Sequence, residues 1–197
     1  MQWMSVWQVH HAMDKNKQDL HKEYFNPGVA FTGVPSQDEL AHCPGVPTEM
    51  RMQHGRVACI ECVQQIPCNP CEGLCKFGAI TIGEEITNLP KLHEDNCVGC
   101  GLCVAGCPGL AITILDRSYS EREATIDFPF EYLPLPAVGA WVDAVNRAGE
   151  VVCKGRILRV LKLESYQGTA VICMAIPQEY LNEVRSMKRL PKQDRRE

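Results

Sequence analysis

A dense run of four cysteines lies in the middle of this chain, Cys97-Val98-Gly99-Cys100-Gly101-Leu102-Cys103-Val104-Ala105-Gly106-Cys107-Pro108. The spacing of its last three cysteines occurs once before, at Cys68, Cys71 and Cys75. The following residues repeat in the same register, because Ala79-Ile80-Thr81-Ile82 recurs as Ala111-Ile112-Thr113-Ile114. The chain therefore contains an internal repeat of a cysteine-rich loop and a strand, and this repeat predicts pseudo-two-fold symmetry.

The spacing C-x2-C-x2-C-x3-C-P in the second copy is typical of iron–sulfur binding. Soft thiolates suit iron, and two-residue spacers let one tight loop aim several sulfurs at the same cluster. Gly99, Gly101 and Gly106 lack a Cβ, so backbone N–H groups can approach the cluster sulfurs. The stretch resembles the bacterial ferredoxins that carry two [4Fe-4S] clusters, in which the fourth cysteine of each run binds the other cluster.

That wiring divides the cysteines into two ligand sets. Cluster B is predicted to be held by Cys75, Cys97, Cys100 and Cys103. Cluster A is predicted to be held by Cys68, Cys71, Cys107 and one further ligand. The further ligand is open because Gln65 occupies the position in the first copy that Cys97 occupies in the second.

Two upstream cysteines can complete cluster A. Cys62 needs the shorter loop, and Pro67 helps that loop by biasing Ile66 towards an extended conformation. If residues 56–61 are extended, Cys59 and Cys62 point to opposite faces, so only one of them can serve. The residues favour Cys62, while Cys59 and an open three-iron cluster remain as alternatives.

A longer segment adds a second resemblance, Ile60-Glu61-Cys62-Val63-Gln64-Gln65-Ile66-Pro67-Cys68-Asn69-Pro70-Cys71-Glu72. With the arm before it and the β-rich tail after it, it resembles the iron–sulfur subunit of multisubunit flavin-dependent amino-acid dehydrogenases. Those enzymes are the proline and hydroxyproline dehydrogenases related to sarcosine oxidase. The resemblance implies that partner subunits carry FAD or FMN and oxidise a secondary amine, and that the clusters pass the electrons onward. It also supports Cys62 as the displaced ligand.

The chain itself shows no sign of a substrate site. No G-x-G-x-x-G follows a predicted strand, and no Ser/His/Asp set or carboxylate pair indicates catalysis. We therefore predict no catalytic residue and a non-catalytic electron-transfer subunit that docks to a flavoprotein in a hetero-oligomer. The alternatives are a free, diffusible ferredoxin-type carrier and a zinc-stabilised interaction module.

The predicted fold class is α+β, with a ferredoxin-like dicluster domain at its centre. Residues 1–56 are predicted to be an irregular Pro/Gly-rich docking arm, with a capped helical turn near Gln37–His42, and residues 57–116 the dicluster domain. In residues 117–136, Pro129, Pro134 and Pro136 predict an irregular connector. Residues 137–197 are predicted to form a small β-barrel-like unit that begins with a hairpin and ends in a short helix from Pro177 and a charged tail.

Composition limits the remaining possibilities. The chain has 197 residues, 45% of them hydrophobic, a net charge of −4 and twelve cysteines. Cys43, Cys153 and Cys173 are isolated and are predicted to be structural thiols. No signal peptide, membrane span or nucleic-acid-binding pattern is evident, so we expect a cytoplasmic, reducing location. Met13 is an alternative natural start.

Overall fold

The computed structural model describes residues 28–191. Its strands are β1 (Val57–Ile60), β2 (Ile80–Thr81), β3 (Lys91–Leu92), β4 (Ile112–Asp116), β5 (Glu123–Phe130), β6 (Trp141–Val145), β7 (Val151–Leu161), β8 (Ala170–Pro177) and β9 (Ser186–Met187). Its α-helices are α1 (Val29–Thr32), α2 (Gln37–Ala41), α3 (Glu49–Met52), α4 (Pro70–Leu74) and α5 (Leu102–Ala105). Short 3₁₀ helices lie at Glu94–Asn96, Glu164–Tyr166 and Gln178–Tyr180. Within residues 28–191, no helix is long and apolar enough to span a membrane.

One antiparallel sheet joins the two ends of the described chain. Its strand order is β1-β4-β5-β8-β7-β6-β9, and a second, two-stranded sheet pairs β2 with β3. Each copy of the repeat contributes one cysteine-bearing helix, α4 or α5, followed by a strand, β2 or β4. The predicted loop, helical turn and strand in each copy are therefore confirmed, as is the strand that pairs back before the second cysteine loop.

The part of the arm that the structure describes packs against the cysteine-rich domain. Ser36 and Glu39 form the predicted capping box at the start of α2. Further on, the N–H of Ile60 donates to the carbonyl of Gly45 at 2.9 Å, and the N–H of Leu92 donates to that of Pro44 at 3.0 Å. The domain surface thus orders this Pro/Gly-rich segment. Residues 1–27 and 192–197, which include the tryptophans at the start and the charged tail, lie outside the described residues.

The prediction that residues 117–136 form an irregular connector is wrong for β5. This strand pairs with both β4 and β8 and continues the sheet from one half of the chain to the other. Pro129 is tolerated because the pairing with β4 ends at Asp127, so Pro129 lies where β5 has a partner on one side only. The burial of Ile126, Phe128 and Phe130 outweighs the single proline.

The C-terminal end also differs from the prediction. The expected short helix from Pro177 is only a 3₁₀ turn, Gln178–Tyr180, followed by strand β9. The backbone after this turn pairs with the edge of β6 instead. The N–H of Arg185 donates to the carbonyl of Val145, and the N–H of Lys188 donates to the carbonyl of Asp143. The expected separate β-barrel-like unit is likewise wrong, because its strands belong to the same sheet as β1 and β4.

The two faces of this sheet pack against different parts of the chain. Strand alternation and the β5–β8 register put Ile126, Phe128, Ile172 and Met174 on one face. All four are fully buried, and with Leu181 they belong to the main apolar core. The opposite face carries Ala58, Ile60, Ile112 and Ile114 on β1 and β4. The cysteine loops lie over that second face, as described below.

Replacing Phe128 by alanine tests the contribution of the core face. Phe128 is 0% exposed, and truncation of a buried phenylalanine costs about 3–5 kcal/mol because it removes buried apolar area and leaves a cavity. We expect a clear loss in the free energy of unfolding of F128A, measured by denaturant titration. Tyr119→Ala, at a 44% exposed aromatic, should change it by less than about 1 kcal/mol.

Candidate metal centres

Four cysteines line a cavity next to β1, namely Cys75, Cys97, Cys100 and Cys103. Cys75 follows α4, whereas the other three come from the second copy, in the loop that leads into α5 and in α5 itself. This group equals the set predicted for cluster B.

A second cavity is lined by four further cysteines, Cys62, Cys68, Cys71 and Cys107. Here Cys107 comes from the second copy and joins cysteines of the first. The last cysteine of each copy therefore lies with the other copy's set. The structure brings together both groups that the sequence predicted, and their role as cluster ligands stays a prediction.

One face of the antiparallel pair β1–β4 forms the floor of both cavities. Ala58 and Ile114, which pair across the two strands, line the cavity of Cys97. Ile60 and Ile112, the other pair on this face, line the cavity of Cys62. The repeat thus sets its two cysteine groups side by side on a single apolar surface.

Cys59 faces away from both cavities. It pairs with Thr113 on the opposite face of the β1–β4 pair, is 1% exposed and lines a different cavity with Glu61 and Leu115. Burial raises the pKa of its thiol to about 12, so this thiol is not a reactive group. Because β1 is extended, Cys62 then lies on the side of the clusters, as the alternation argument requires.

Backbone N–H groups point at the cysteine sulfurs in both halves. The N–H of Ala79 donates to Cys75 Sγ at 3.2 Å, and the N–H of Ala111 donates to Cys107 Sγ at 3.5 Å. These two alanines occupy equivalent positions in the repeat. Such bonds stabilise thiolate charge, as expected around an iron–sulfur cluster.

The donor set fits iron–sulfur clusters better than a single ion. Thiolates around zinc lie about 2.3 Å from the metal and so converge closely. Among residues 28–191, no three His, Cys, Asp or Glu side chains are grouped as ligands of one metal ion. Instead the four cysteines of each set are spread over the wall of a cavity. Burial raises the pKa of Cys71 to about 11 and that of Cys103 to about 12, so metal binding there releases protons.

Arg51 in α3 holds the start of the second cysteine loop. Its guanidinium donates to five backbone carbonyls, those of His54, Gly55, Arg56, Glu94 and Cys97. The bond to the carbonyl of Cys97 is 2.6 Å long. The helix of the arm therefore fixes the backbone of a predicted cluster B ligand.

Replacing Arg51 by methionine should loosen this loop. A hydrogen bond from a charged donor contributes about 1.5–3 kcal/mol, and a thioether side chain would leave the Cys97 carbonyl without its donor. We expect cluster B to be lost faster than cluster A in the presence of an iron chelator, followed by visible absorption and EPR. Arg122→Met, at an exposed arginine, should behave as wild type, and equal loss rates for the two clusters in R51M would contradict the assignment.

Arg56 links the same loop to the interior of the sheet. Its Nε donates to the Gly99 carbonyl at 3.2 Å, and its Nη2 lies 2.7 Å from Asp127 Oδ2. Asp127 is 2% exposed, so this ion pair is largely buried. Neither Arg51 nor Arg56 was predicted, because no sequence pattern indicates which carbonyls an arginine will meet.

The three isolated cysteines lie apart from both cavities. Cys43 donates from its buried thiol to the Ile60 carbonyl at 3.2 Å, Cys173 is 2% exposed on β8, and Cys153 is half-buried on β7. Burial raises the pKa of all three thiols. None of the three lines either of the two cysteine cavities.

Each cavity lies close to an open surface. Cys100 is exposed, and beside it Phe77 and Val98 are 51% and 54% exposed. Cys107 and Leu110 line an open groove between the cysteine loops and the β7–β8 turn. The two cysteine groups therefore have separate routes to the surface.

Comparison with known proteins agrees with this site. The family model described as "4Fe-4S binding domain" matches residues 90–113. "Protein Pixie" of Drosophila melanogaster is 32% identical over 38% of this chain and 13% of its own length. One component of the Na(+)-translocating ferredoxin:NAD(+) oxidoreductase complex of Acetobacterium woodii is 42% identical over 24% of this chain and 14% of its own length.

A third relative, "Ferredoxin-type protein NapF" of Haemophilus influenzae, is 36% identical over 33% of this chain and 38% of its own length. The chain thus spans between 13% and 38% of the length of these relatives. No solved structure matches significantly. The matched segment, the spacing of the cysteines and the two cavities agree: this chain contains a ferredoxin-type 4Fe-4S binding domain.

Proposed function

We propose that this chain is an electron-transfer subunit that holds two [4Fe-4S] clusters. Cluster A has the ligands Cys62, Cys68, Cys71 and Cys107, and cluster B has Cys75, Cys97, Cys100 and Cys103. The observation that carries the proposal is the sorting of these eight cysteines into two groups of four, each around its own cavity.

A bound cluster of this kind supplies one-electron transfer. The residues of the chain then have three tasks. The cysteines fill every coordination position, which leaves none for a substrate. Ala79 and Ala111 donate N–H groups to ligand sulfurs and so favour the more negative, reduced state. The apolar floor of Ala58, Ile60, Ile112 and Ile114 excludes water from between the sites.

The two routes to the surface support a role as a relay, in which electrons enter the chain at one surface and leave it at another. An electron can enter at the groove that contains Cys107 and leave at the exposed Cys100, or travel in the reverse direction. Apolar side chains at both openings, Leu110 and Phe77 among them, suit contact with a protein partner.

The proposed partner is a flavoprotein dehydrogenase that oxidises an amino acid or secondary amine such as proline or hydroxyproline, in the cytoplasm. The partner carries the FAD or FMN. This part rests on the resemblance of residues 60–72, and a relative named as a component of an oxidoreductase complex gives general support for a subunit role. No nucleic acid takes part in the proposed function.

Purification from the native source under anaerobic conditions tests the proposal. We expect a brown protein that dithionite bleaches and that co-elutes with flavin-containing chains, well above the 22.0 kDa of this chain alone. Elution as a lone brown species would replace the subunit role with that of a free carrier. A colourless protein with stoichiometric zinc would contradict electron transfer altogether.

A further inference from the structure

Next to Cys62 lies an ion cluster that the electron-transfer role does not explain. Glu61 accepts from Arg147 through Nε at 2.8 Å and Nη2 at 2.6 Å, a bidentate pair. It also accepts from Arg185 Nε at 2.8 Å and forms an ion pair with Arg185 Nη2 at 2.7 Å. Arg147 lies in the β6–β7 turn and Arg185 immediately before β9, so both arginines come from the C-terminal half of the sheet.

The three side chains are largely removed from water, with 10% of Glu61, 15% of Arg147 and 12% of Arg185 exposed. Burial alone would raise the pKa of Glu61, but the hydrogen bonds and charges of the two arginines outweigh it, and the pKa is lowered. Fixed bidentate geometry is what distinguishes such a buried cluster from a surface ion pair.

The arginines are themselves fixed by the backbone around them. Arg147 Nη1 donates to the Asn182 carbonyl at 3.0 Å, and Arg185 Nη1 donates to the carbonyls of Leu181 and Val184. Leu181 and Val184 are fully buried. The position of Glu61 is thus tied to the C-terminal core.

Cys62 needs such an anchor more than the other cysteines do. The equivalent cysteine of the second copy, Cys97, stands in a tight loop and has its carbonyl held by Arg51. Cys62 instead stands at the start of the longer loop that bypasses Gln65. The residue directly before it is Glu61, whose N–H also donates to the Ala111 carbonyl at 2.9 Å.

We propose that Glu61, Arg147 and Arg185 are positioning residues for Cys62, so that the C-terminal half of the sheet controls the retention of cluster A. This inference rests on the proposed cluster-binding function. It gives the C-terminal strands a role other than docking. Their arginines hold the segment before Cys62, as the tight loop of the second copy holds Cys97.

Glu61→Gln tests the inference, with Glu123→Gln as the matched control. Glu123, on β5, also pairs with an arginine, since its Oε2 lies 3.3 Å from Arg156 Nη2. It is partly exposed and lines neither cysteine cavity. Iron per chain and the EPR spectrum of the reduced protein are measured before and after a timed exposure to an iron chelator. We expect E61Q to lose about half of its iron, with the signal of one cluster preserved, and E123Q to match wild type.

Retention of both clusters at wild-type rates in E61Q overturns the inference. If E61Q instead loses both clusters and its secondary structure, Arg147→Lys decides, because lysine keeps the charge but not the bidentate fork. Faster loss of cluster A alone in R147K supports positioning, whereas equal loss of the two clusters overturns it. A wild-type protein that holds no clusters would contradict the proposed function itself, which is a different result.

Discussion

Cys62→Ser is expected to lose cluster A while cluster B remains. Iron should fall from about eight to about four per chain, with half of the visible absorption. The reason is geometric: Cys62 is the residue of the first segment that completes the cavity of Cys68, Cys71 and Cys107. Serine offers a hard oxygen where iron–sulfur clusters favour soft thiolate.

The matched control is Cys59→Ser, three positions earlier. Cys59 lies on the opposite face of β1 and lines a different cavity, so both clusters should remain. The loss of stability there should be small, because a serine hydroxyl can keep the hydrogen bond that the Cys59 thiol donates to Glu61 Oε1 at 3.8 Å. Loss of four irons from C59S with eight retained in C62S would reverse the ligand assignment. A three-iron signal in the wild type would instead favour an open cluster A.

Gly99→Ala is expected to remove cluster B. Gly99 has φ of +66°, and an added Cβ would lie 2.8 Å from the carbonyl oxygen of Arg56 and closer still to its Cβ. The strained φ and the overpacking together cost about 2–5 kcal/mol. Because Arg56 also bonds the Gly99 carbonyl and Asp127, the clash displaces the loop between Cys97 and Cys100.

Gly101→Ala separates the two causes of that loss. Gly101 has φ of +83°, but an added Cβ would find its nearest atom, Ile114 Cγ1, at 4.0 Å. No atom of the chain is crowded there, so the cost within the protein is the conformational one of about 1–2 kcal/mol. Iron analysis and EPR should show cluster B present in G101A and lost in G99A. Equal retention in both variants would mean that contact with Arg56 does not position the loop.

The grouping of the cysteines could be predicted from the sequence because it depends on short, repeated loops. Two copies of one unit with pseudo-two-fold symmetry exchange their last cysteines, and the structure indeed brings Cys75 to the second group and Cys107 to the first. The opposite orientation of Cys59 and Cys62 followed from strand alternation, given an extended segment.

The joining of the two halves into one sheet was not predicted. Ala124, Ile126, Phe128 and Phe130 alternate as a strand should, yet Pro129 favoured an irregular connector. The strand tolerates that proline only because β4 ends earlier, which is a property of the register and not of β5. The missing C-terminal helix has the same origin, since the free edge of β6 offers its carbonyls to Arg185 and Lys188.

The long-range contacts of the arginines could likewise not be predicted from the sequence. Arg51 meets the Cys97 carbonyl, and Glu61 meets Arg147 and Arg185, across large separations in the chain. Their partners are defined by the folded backbone, and a charged residue in a loop looks the same whether it is solvated or buried. These contacts nevertheless hold the segments next to Cys97 and Cys62.

The number and kind of metal centres in the wild-type chain are the most direct test of the two-cluster assignment. Iron, acid-labile sulfide and zinc should be counted in anaerobically purified protein, with Mössbauer spectroscopy to identify the cluster type. Two [4Fe-4S] clusters predict about eight irons and eight sulfides per chain and no stoichiometric zinc. About four irons, or zinc in place of iron, would contradict the assignment of eight cysteines to two clusters.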